Sequence, residues 1–481
     1  MASNHPSPRR FTFASPWFYR LGLGVMLILL IMAALFWRER TWFIDVAFQT
    51  FLMIKDGTTQ VMVYRFGAAT VQSLPLLGIK MGLSLATISW LYSVSFHLHF
   101  LAFFLLAGRL FERRDVALGI AVLYTAFTYD GFYWQTSELQ QGLGFLMVSW
   151  AALLRYPGLT KWWHYPLWGS TLIALAFYHP LVFMPFYLML IWLWWKPGFK
   201  LEGRKTLLVL GGLMFVILFI KQIWFQNWYD AQKTAQFMGH LTEDFPNYFS
   251  YPTYGLFLRD LATHWWGYGL LLLLVSGWLL RKKQFWGTAL LWLATMGFML
   301  LNAIGDPAAE HRFYAEVNYY PLLAFLLVPL IVEVFPLWRK GVGYQSSNAG
   351  WLNLALIFWA IFFTARLGLI AWNSEDYSAR VDYLRELSAA ATDQRQVIDP
   401  GTLNQELLKM DWGLPYETLI QSATETDRPV TLLPLSDPAT KADQLASDTL
   451  FVTPWTEFPL RQVNERGYWR LPAVPYATPP E

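Results

Sequence analysis

The sequence predicts an all-α polytopic membrane protein that ends in a small α/β domain, because of its composition and its uneven charge distribution. Of the 481 residues, 55% are hydrophobic and only 14% are charged, whereas soluble domains carry about 25% charged residues. Residues 1–372 hold 27 Lys+Arg against 16 Asp+Glu, and residues 373–481 hold 9 against 17. We therefore predict a transmembrane domain over 1–372 and a separate soluble domain over 373–481.

The same composition excludes several functions. A nucleic-acid binder would need Lys and Arg clustered on a water-exposed face, which a chain with mean hydropathy +0.32 does not offer. The sequence contains no cysteine, so disulfides, thiolate metal sites and a cysteine nucleophile are excluded.

About eleven hydrophobic runs approach the length that crosses a bilayer, which is about 20 residues for a helix. They lie at roughly 18–37, 84–107, 116–134, 142–154, 163–178, 181–195, 206–224, 266–280, 284–302, 319–338 and 350–372. The first run is followed by Leu35-Phe36-Trp37-Arg38-Glu39 and not by a small-residue cleavage site. We interpret it as an uncleaved anchor rather than a signal peptide.

The distribution of basic residues predicts the orientation of the chain. With the N-terminus inside, the predicted cytoplasmic segments hold 17 Lys and Arg residues, as the positive-inside rule requires. Arg38 and Arg40, outside, are the main exceptions. An odd number of spans then puts residues 373–481 on the outer face.

The first outer loop, 38–83, carries the principal candidate residue, Asp45. Apolar residues recur at helical spacing from Phe43 to Leu52, which predicts an amphipathic helix on the membrane surface. Asp45 falls near the start of this helix, where a carboxylate caps the helix dipole. The functional alternative is a general base that takes a proton from an acceptor hydroxyl.

Two further outer segments carry charged candidates. Asp130 and Glu138 flank a short segment without Lys or Arg, and Ser137 before Glu138 suits a helix cap. Arg312 has a guanidinium suited to bidentate phosphate binding; a salt bridge to Glu310 or Glu316 is the alternative. The histidines show no tight metal-ligand spacing, so no metal-binding residue is predicted.

The C-terminal domain is predicted as a small α/β module. A helix is expected over about 375–391, and short helices over 402–410 and 415–423. A strand is expected to end over 397–400, with further strands at 430–435, 449–452 and, more weakly, 468–471. The domain contains no nucleotide loop, nucleophile elbow or metal box. Recognition or structural capping is therefore favoured over catalysis for this domain.

Two stretches resemble the integral-membrane glycosyltransferases of the GT-C fold, which include protein O-mannosyltransferases, oligosaccharyltransferases and lipid A aminoarabinose transferases. Trp42-Phe43-Ile44-Asp45-Val46-Ala47-Phe48 resembles the acidic motif of their first outer loop. The run from Ser84-Leu85-Ala86 through Phe103-Phe104-Leu105-Leu106-Ala107-Gly108-Arg109-Leu110 and Arg113-Arg114-Asp115-Val116-Ala117-Leu118 is similar to their helix, basic turn and next helix.

The resemblance implies transfer of a sugar from a polyprenyl-phosphate carrier to a lipid, glycan or protein acceptor outside a bacterial inner membrane. Asp45 would be the general base, with Asp56, Asp130 and Glu138 as secondary acids. Arg312, Lys55 and Arg65 would bind the donor phosphate. No cofactor is assigned, and a divalent cation is left open.

The sequence also departs from the family pattern. Adjacent paired acids after the first span are absent, since Val46 follows Asp45, and the tail lacks a Trp-Trp-Asp motif, which disfavours an oligosaccharyltransferase. The alternative functions are a transporter or channel, and a non-catalytic subunit or scaffold whose C-terminal domain binds a partner.

Overall fold

The computed structural model describes residues 16–135, 137–309, 311–335 and 349–478, and it is 74% helical. Within these ranges, six helices are long and apolar enough to cross a membrane: Pro16–Leu35, Leu85–Leu110, Leu201–Trp224, Phe285–Gly305, Arg312–Val334 and Asn353–Ala390. The helical, membrane-type fold is therefore confirmed. The count of eleven spans and the direction of the chain stay predictions.

Sixteen helices precede the C-terminal domain in the described residues. They are α1 (Pro16–Leu35), α2 (Trp37–Thr41), α3 (Ile44–Asp56), α4 (Ser73–Lys80), α5 (Leu85–Leu105), α6 (Arg114–Leu123), α7 (Glu138–Arg155), α8 (His164–Tyr178), α9 (Phe183–Trp195), α10 (Leu201–Trp224), α11 (Trp228–Glu243), α12 (Pro252–Thr263), α13 (Trp266–Arg281), α14 (Phe285–Gly305), α15 (Arg312–Pro329) and α16 (Ala349–Trp372). Wider helical turns extend α5 to Leu110 and α15 to Val334.

The third predicted run, 116–134, is wrong as a continuous span. Helix α6 ends at Leu123, and residues 124–135 form an irregular, largely buried segment. Hydropathy does not distinguish a buried irregular segment from a helix, because both are apolar.

Three buried charged side chains hold the irregular segment 124–135. Arg366 donates to the carbonyl oxygens of Thr125 and Thr128 at 2.9 and 2.7 Å. Glu316 accepts the backbone N–H groups of residues 129, 130 and 131, each at 2.8 Å. Arg40 donates to the carbonyl oxygen of Phe132. Irregular backbone away from water requires such partners, so Arg40 is a buried structural residue here and not a free outer cation.

Helix α3 is also placed differently from the prediction. Most of its residues are buried, including Val46, Gln49, Thr50 and Phe51, so it is not a helix lying on the membrane surface with an exposed polar face. The C-terminal domain covers its second face, a contact that helical periodicity does not reveal.

The C-terminal domain contains α17 (Ser374–Ala390), β1 (Arg395–Ile398), α18 (Gln405–Leu408), α19 (Leu414–Glu425), β2 (Thr431–Pro434), α20 (Ala442–Leu445), β3 (Leu450–Val452), β4 (Glu457–Pro459) and α21 (Leu460–Asn464). Strand β1 pairs in parallel with β2, with Arg395 opposite Thr431. Strand β3 pairs antiparallel with β4. Residues 468–471 are not a strand in the structure.

One hydrophobic core runs through both regions. Phe51 of α3 contacts Phe451, at 5.1 Å between ring centroids, and Trp469, at 6.1 Å. The hydroxyl of Tyr468 donates to the carbonyl oxygen of Leu83 at 3.0 Å. The C-terminal domain is therefore packed against residues 38–83, and it forms one wall of any site around Asp45.

Candidate functional site

A tight turn at Ile44 positions Asp45. Ile44 has φ +26°, a conformation that a β-branched residue rarely adopts. Its backbone N–H donates to Glu417 Oε1 at 2.5 Å. Arg380 forms an ion pair with Glu417 and donates to the carbonyl oxygen of Trp42 at 2.7 Å. An ion pair from the C-terminal domain therefore holds both sides of the turn that precedes Asp45.

The carboxylate of Asp45 keeps most of its hydrogen-bonding capacity. In the described part of the chain its one hydrogen bond comes from the indole Nε1 of Trp134, at 3.1 Å, and Glu417 has the helix-capping contact to the backbone instead. Burial, together with the negative charge of Glu138, raises the pKa of Asp45 to about 7, and the Trp134 hydrogen bond opposes this rise. A carboxylate with a pKa near neutrality is suited to general-base catalysis.

A second acidic group and a cation lie near Asp45. Glu138 is at the start of α7, after Ser137, whose side chain accepts the Gln140 N–H and caps the helix as predicted. Arg65 lies 3.4 Å from Glu138 Oε2 and 3.5 Å from Asp230 Oδ1. The Nε of Arg65 is buried and has no hydrogen-bond partner among the described residues. This guanidinium therefore retains a donor for an incoming anion.

Sequence reasoning missed three residues of this cluster. Asp230, in the first turn of α11, is the second partner of Arg65. Lys221, near the end of α10, is buried and donates to the carbonyl oxygen of Ala176 at 2.7 Å. His179 is close enough to both Arg65 and Lys221 to interact with their charges. The available signal was a lysine inside an apolar run, since ionisable residues in membrane spans are functional candidates.

Asp130 and Arg312 lie together, but they bind each other and are not free to bind a ligand. They form a two-point ion pair at 2.5 and 3.2 Å, and Asp130 also accepts hydrogen bonds from Asn373 at 3.0 Å and Tyr377 at 3.2 Å. The predicted alternative partner Glu316 is occupied by backbone N–H groups, and Glu310 lies outside the described residues. This arrangement is a structural junction with the C-terminal domain.

Arg312 nevertheless borders a small cavity. The cavity has a volume of about 180 Å³, and Arg259, Asp260 and Tyr319 also line it. Because Asp130 already neutralises Arg312, Arg65 with its free donor is the better candidate for binding a phosphate.

Lys55 and Asp56 do not join the cluster at Asp45. They form an ion pair with each other at the C-terminal end of α3. With a rise of 1.5 Å per residue, this end is about 16 Å from Asp45. Lys55 also lies against the ring of Phe458, 5.1 Å from its centroid. Lys55 therefore contacts the C-terminal domain, whereas Asp56 contacts Lys55 and Gln60.

The described residues contain no group of three or more His, Cys, Asp or Glu side chains that could hold a metal ion. A divalent cation therefore has no assigned place at Asp45. No family model matches the chain, and neither a curated protein nor a solved structure matches it.

Proposed function

We propose that this protein is a membrane glycosyltransferase that moves a sugar from a polyprenyl-phosphate donor to an acceptor on the outer face, with Asp45 as general base. The proposal includes the finer topology: eleven spans, the N-terminus inside, the C-terminal domain outside, and a bacterial inner membrane. The observation that carries it is the Asp45 carboxylate, which has one hydrogen bond from Trp134 and a pKa of about 7.

A candidate position for the donor phosphate lies at Arg65. The unpartnered Nε of Arg65 supplies a charge-assisted donor, which binds phosphate oxygens strongly. Its contacts to Glu138 and Asp230 are long, at 3.4 and 3.5 Å, so a phosphate can displace one of them without breaking a short ion pair. The ammonium of Lys221 adds positive potential beside it, since the charges of Lys221 and Arg65 act on each other.

An exposed aromatic wall next to Arg65 suits the polyprenyl tail. Tyr64, Phe66 and Phe225 are 43, 52 and 38% exposed. Phe66 and Phe225 both contact Phe177, at 5.6 and 5.2 Å between ring centroids. A contiguous exposed apolar patch marks a site for a lipid or a partner, and here it adjoins the cation.

In the proposed reaction Asp45 removes the proton from the acceptor hydroxyl as its oxygen attacks the anomeric carbon of the donor. The bond between that carbon and the phosphate oxygen breaks, and its electron pair leaves with the polyprenyl phosphate. Arg65 stabilises the charge that develops on this leaving group. The protonated Asp45 then returns its proton to water.

The test uses purified protein in lipid vesicles with radiolabelled polyprenyl-phosphate sugars and a membrane extract as acceptor. We expect Asp45→Asn to reduce turnover at least about 100-fold, the usual contribution of a general base. Asp56→Asn is the matched control, because Asp56 lies on the same helix but is paired with Lys55. Equal turnover in wild type and Asp45→Asn would remove Asp45 from the mechanism. Failure with every donor would favour a scaffold, and solute flux into the vesicles would favour a transporter.

A further inference from the structure

An open groove of about 510 Å³ lies where the C-terminal domain meets the start of α15. Gln405, Glu406, Asp411, Trp412 and Trp455 line it from the C-terminal domain, and His311 lines it from the membrane region. The proposed catalytic step does not use any of these residues.

The lining combines flat aromatic faces with hydrogen-bonding groups. Trp455 is 75% exposed, and Trp412 is partly exposed. Gln405 Nε2 donates to Asp411 Oδ2 at 3.1 Å, which orients that carboxylate and leaves its other oxygen available. Indole faces stack on the C–H faces of sugar rings, while carboxylate and amide groups bind pairs of hydroxyls.

The charge of the groove selects among ligand classes. Lys409 also lines it, together with the two carboxylates of Glu406 and Asp411, so the formal charge of the lining is not positive. A phosphorylated or otherwise anionic ligand would meet this field unfavourably. The lining also mixes indole and polar groups, whereas an acyl chain needs a uniformly apolar surface. We propose that the groove binds an uncharged sugar chain.

The backbone around the groove has an unusual conformation. Lys409 has φ +67°, in the left-handed region that disfavours residues other than glycine. It ends α18 and turns the chain into Asp411 and Trp412, which line the groove. Such strained positions concentrate at functional sites.

Two series of side-chain contacts connect the groove with Asp45. Trp412 packs against Phe48 of α3, at 5.9 Å between ring centroids, and Phe48 follows Asp45 by three residues, which is one turn of the helix. On the other side Tyr314 is 6.4 Å from His311 and 4.6 Å from Trp134, the hydrogen-bond donor to Asp45. The inference rests on the proposed function in one respect: a sugar chain in this groove would be the acceptor, and its end hydroxyl would be directed to Asp45.

The experiment measures binding of the full-length, detergent-solubilised protein to an array of neutral and anionic oligosaccharides. We expect binding to neutral oligosaccharides and a loss of affinity of about tenfold in Trp455→Ala, as expected for truncating a central aromatic contact. Trp162→Ala is the matched control, because Trp162 is 81% exposed and lies outside the groove. Glu406→Gln, another exposed groove residue, provides a second variant with little risk to folding.

Binding does not require catalysis, so this test is separate from that of the proposed function. If Asp45→Asn binds the same oligosaccharides as wild type, sugar binding in the groove is supported even when no sugar transfer is observed. Absence of binding to every glycan on the array would overturn the inference, and so would binding that Trp455→Ala leaves unchanged. If Trp455→Ala instead lowers cosedimentation with phosphatidylglycerol vesicles and no glycan binds, Trp455 is a membrane anchor and the inference is wrong.

Discussion

Asp45 and Asp130 are two acids with opposite surroundings. Asp130 accepts hydrogen bonds from Arg312, Asn373 and Tyr377, whereas the one described hydrogen bond to Asp45 comes from Trp134. A fully satisfied carboxylate stabilises the fold, because its charge is neutralised and its lone pairs are used. A carboxylate with free lone pairs and a raised pKa is available for chemistry. For these two acids, the number of hydrogen-bond donors distinguishes the structural carboxylate from the one available for chemistry.

The largest expected effect is on the stability of the folded protein, and it should come from a substitution of Asp130. We expect Asp130→Asn to destabilise the protein by about 3–5 kcal/mol, since it leaves the partly buried Arg312 without a counter-charge. Asp45→Asn should not lower stability at pH 8, because burial of the charged Asp45 is unfavourable in the native state. Thermal unfolding of both variants in the same detergent measures this, and a lower melting temperature for Asp45→Asn than for Asp130→Asn would reverse the comparison.

The next effect is the dependence of the reaction rate and of stability on pH. Because the pKa of Asp45 is raised to about 7, the rate at low substrate concentration should rise with pH and level off above about pH 7. The contribution of Asp45 to stability has the opposite sign: the folded state binds its proton more tightly than the unfolded chain, so stability falls as pH rises from about 4 to about 7.

Trp134→Phe tests whether Asp45 controls the pH–rate profile. It removes the hydrogen bond to the charged form of Asp45, so the midpoint of the pH–rate profile should move upward. A profile in Trp134→Phe that is identical to that of wild type would show that another group controls the rate.

A smaller effect on the pH–rate profile should come from the ion pair that holds the turn before Asp45. Because the side chains of Arg380 and Glu417 are 2% and 0% exposed, breaking this pair should also destabilise the protein about as much as Asp130→Asn does. Glu417→Gln keeps an acceptor for the Ile44 N–H but removes a negative charge that raises the pKa of Asp45. We expect the midpoint of the pH–rate profile to shift downward. Glu425→Gln is the control, because Glu425 pairs with Arg38 and Arg385 and is not among the charges that raise the pKa of Asp45. An equal shift in both variants would indicate a general field effect and not a local one.

The smallest effect should come from the Lys55–Asp56 pair. It joins neighbouring residues at the end of α3, with Asp56 38% exposed, and exposed pairs contribute about 0–1 kcal/mol. Asp56→Asn should therefore change the melting temperature by no more than a few degrees, measured beside wild type. Lys55 is not used for this test, because its side chain is only 10% exposed and lies against Phe458. A loss comparable to that of Asp130→Asn would mean that this end of α3 carries the contact with the C-terminal domain.

The sequence alone determined the membrane class of the protein and most of its helices. The predicted run 206–224 lies within α10, and 350–372 lies within α16, because lipid and protein interiors both require long apolar segments with satisfied backbone groups. It also singled out Asp45, Glu138 and Arg65, although it did not predict that they lie together.

Tertiary structure decided which charged side chains are paired within the fold and which remain available to bind a ligand. The partners of Arg312 and Arg40 come from residues 182 and 92 positions away in the chain, and local patterns contain no information on such pairs. The C-terminal domain packs on residues 38–83 and covers α3. This packing also creates the Glu417 contact to Ile44 and the groove at Trp412. Hydrophobic periodicity gives the faces that become buried, but the choice of partner depends on packing between distant segments.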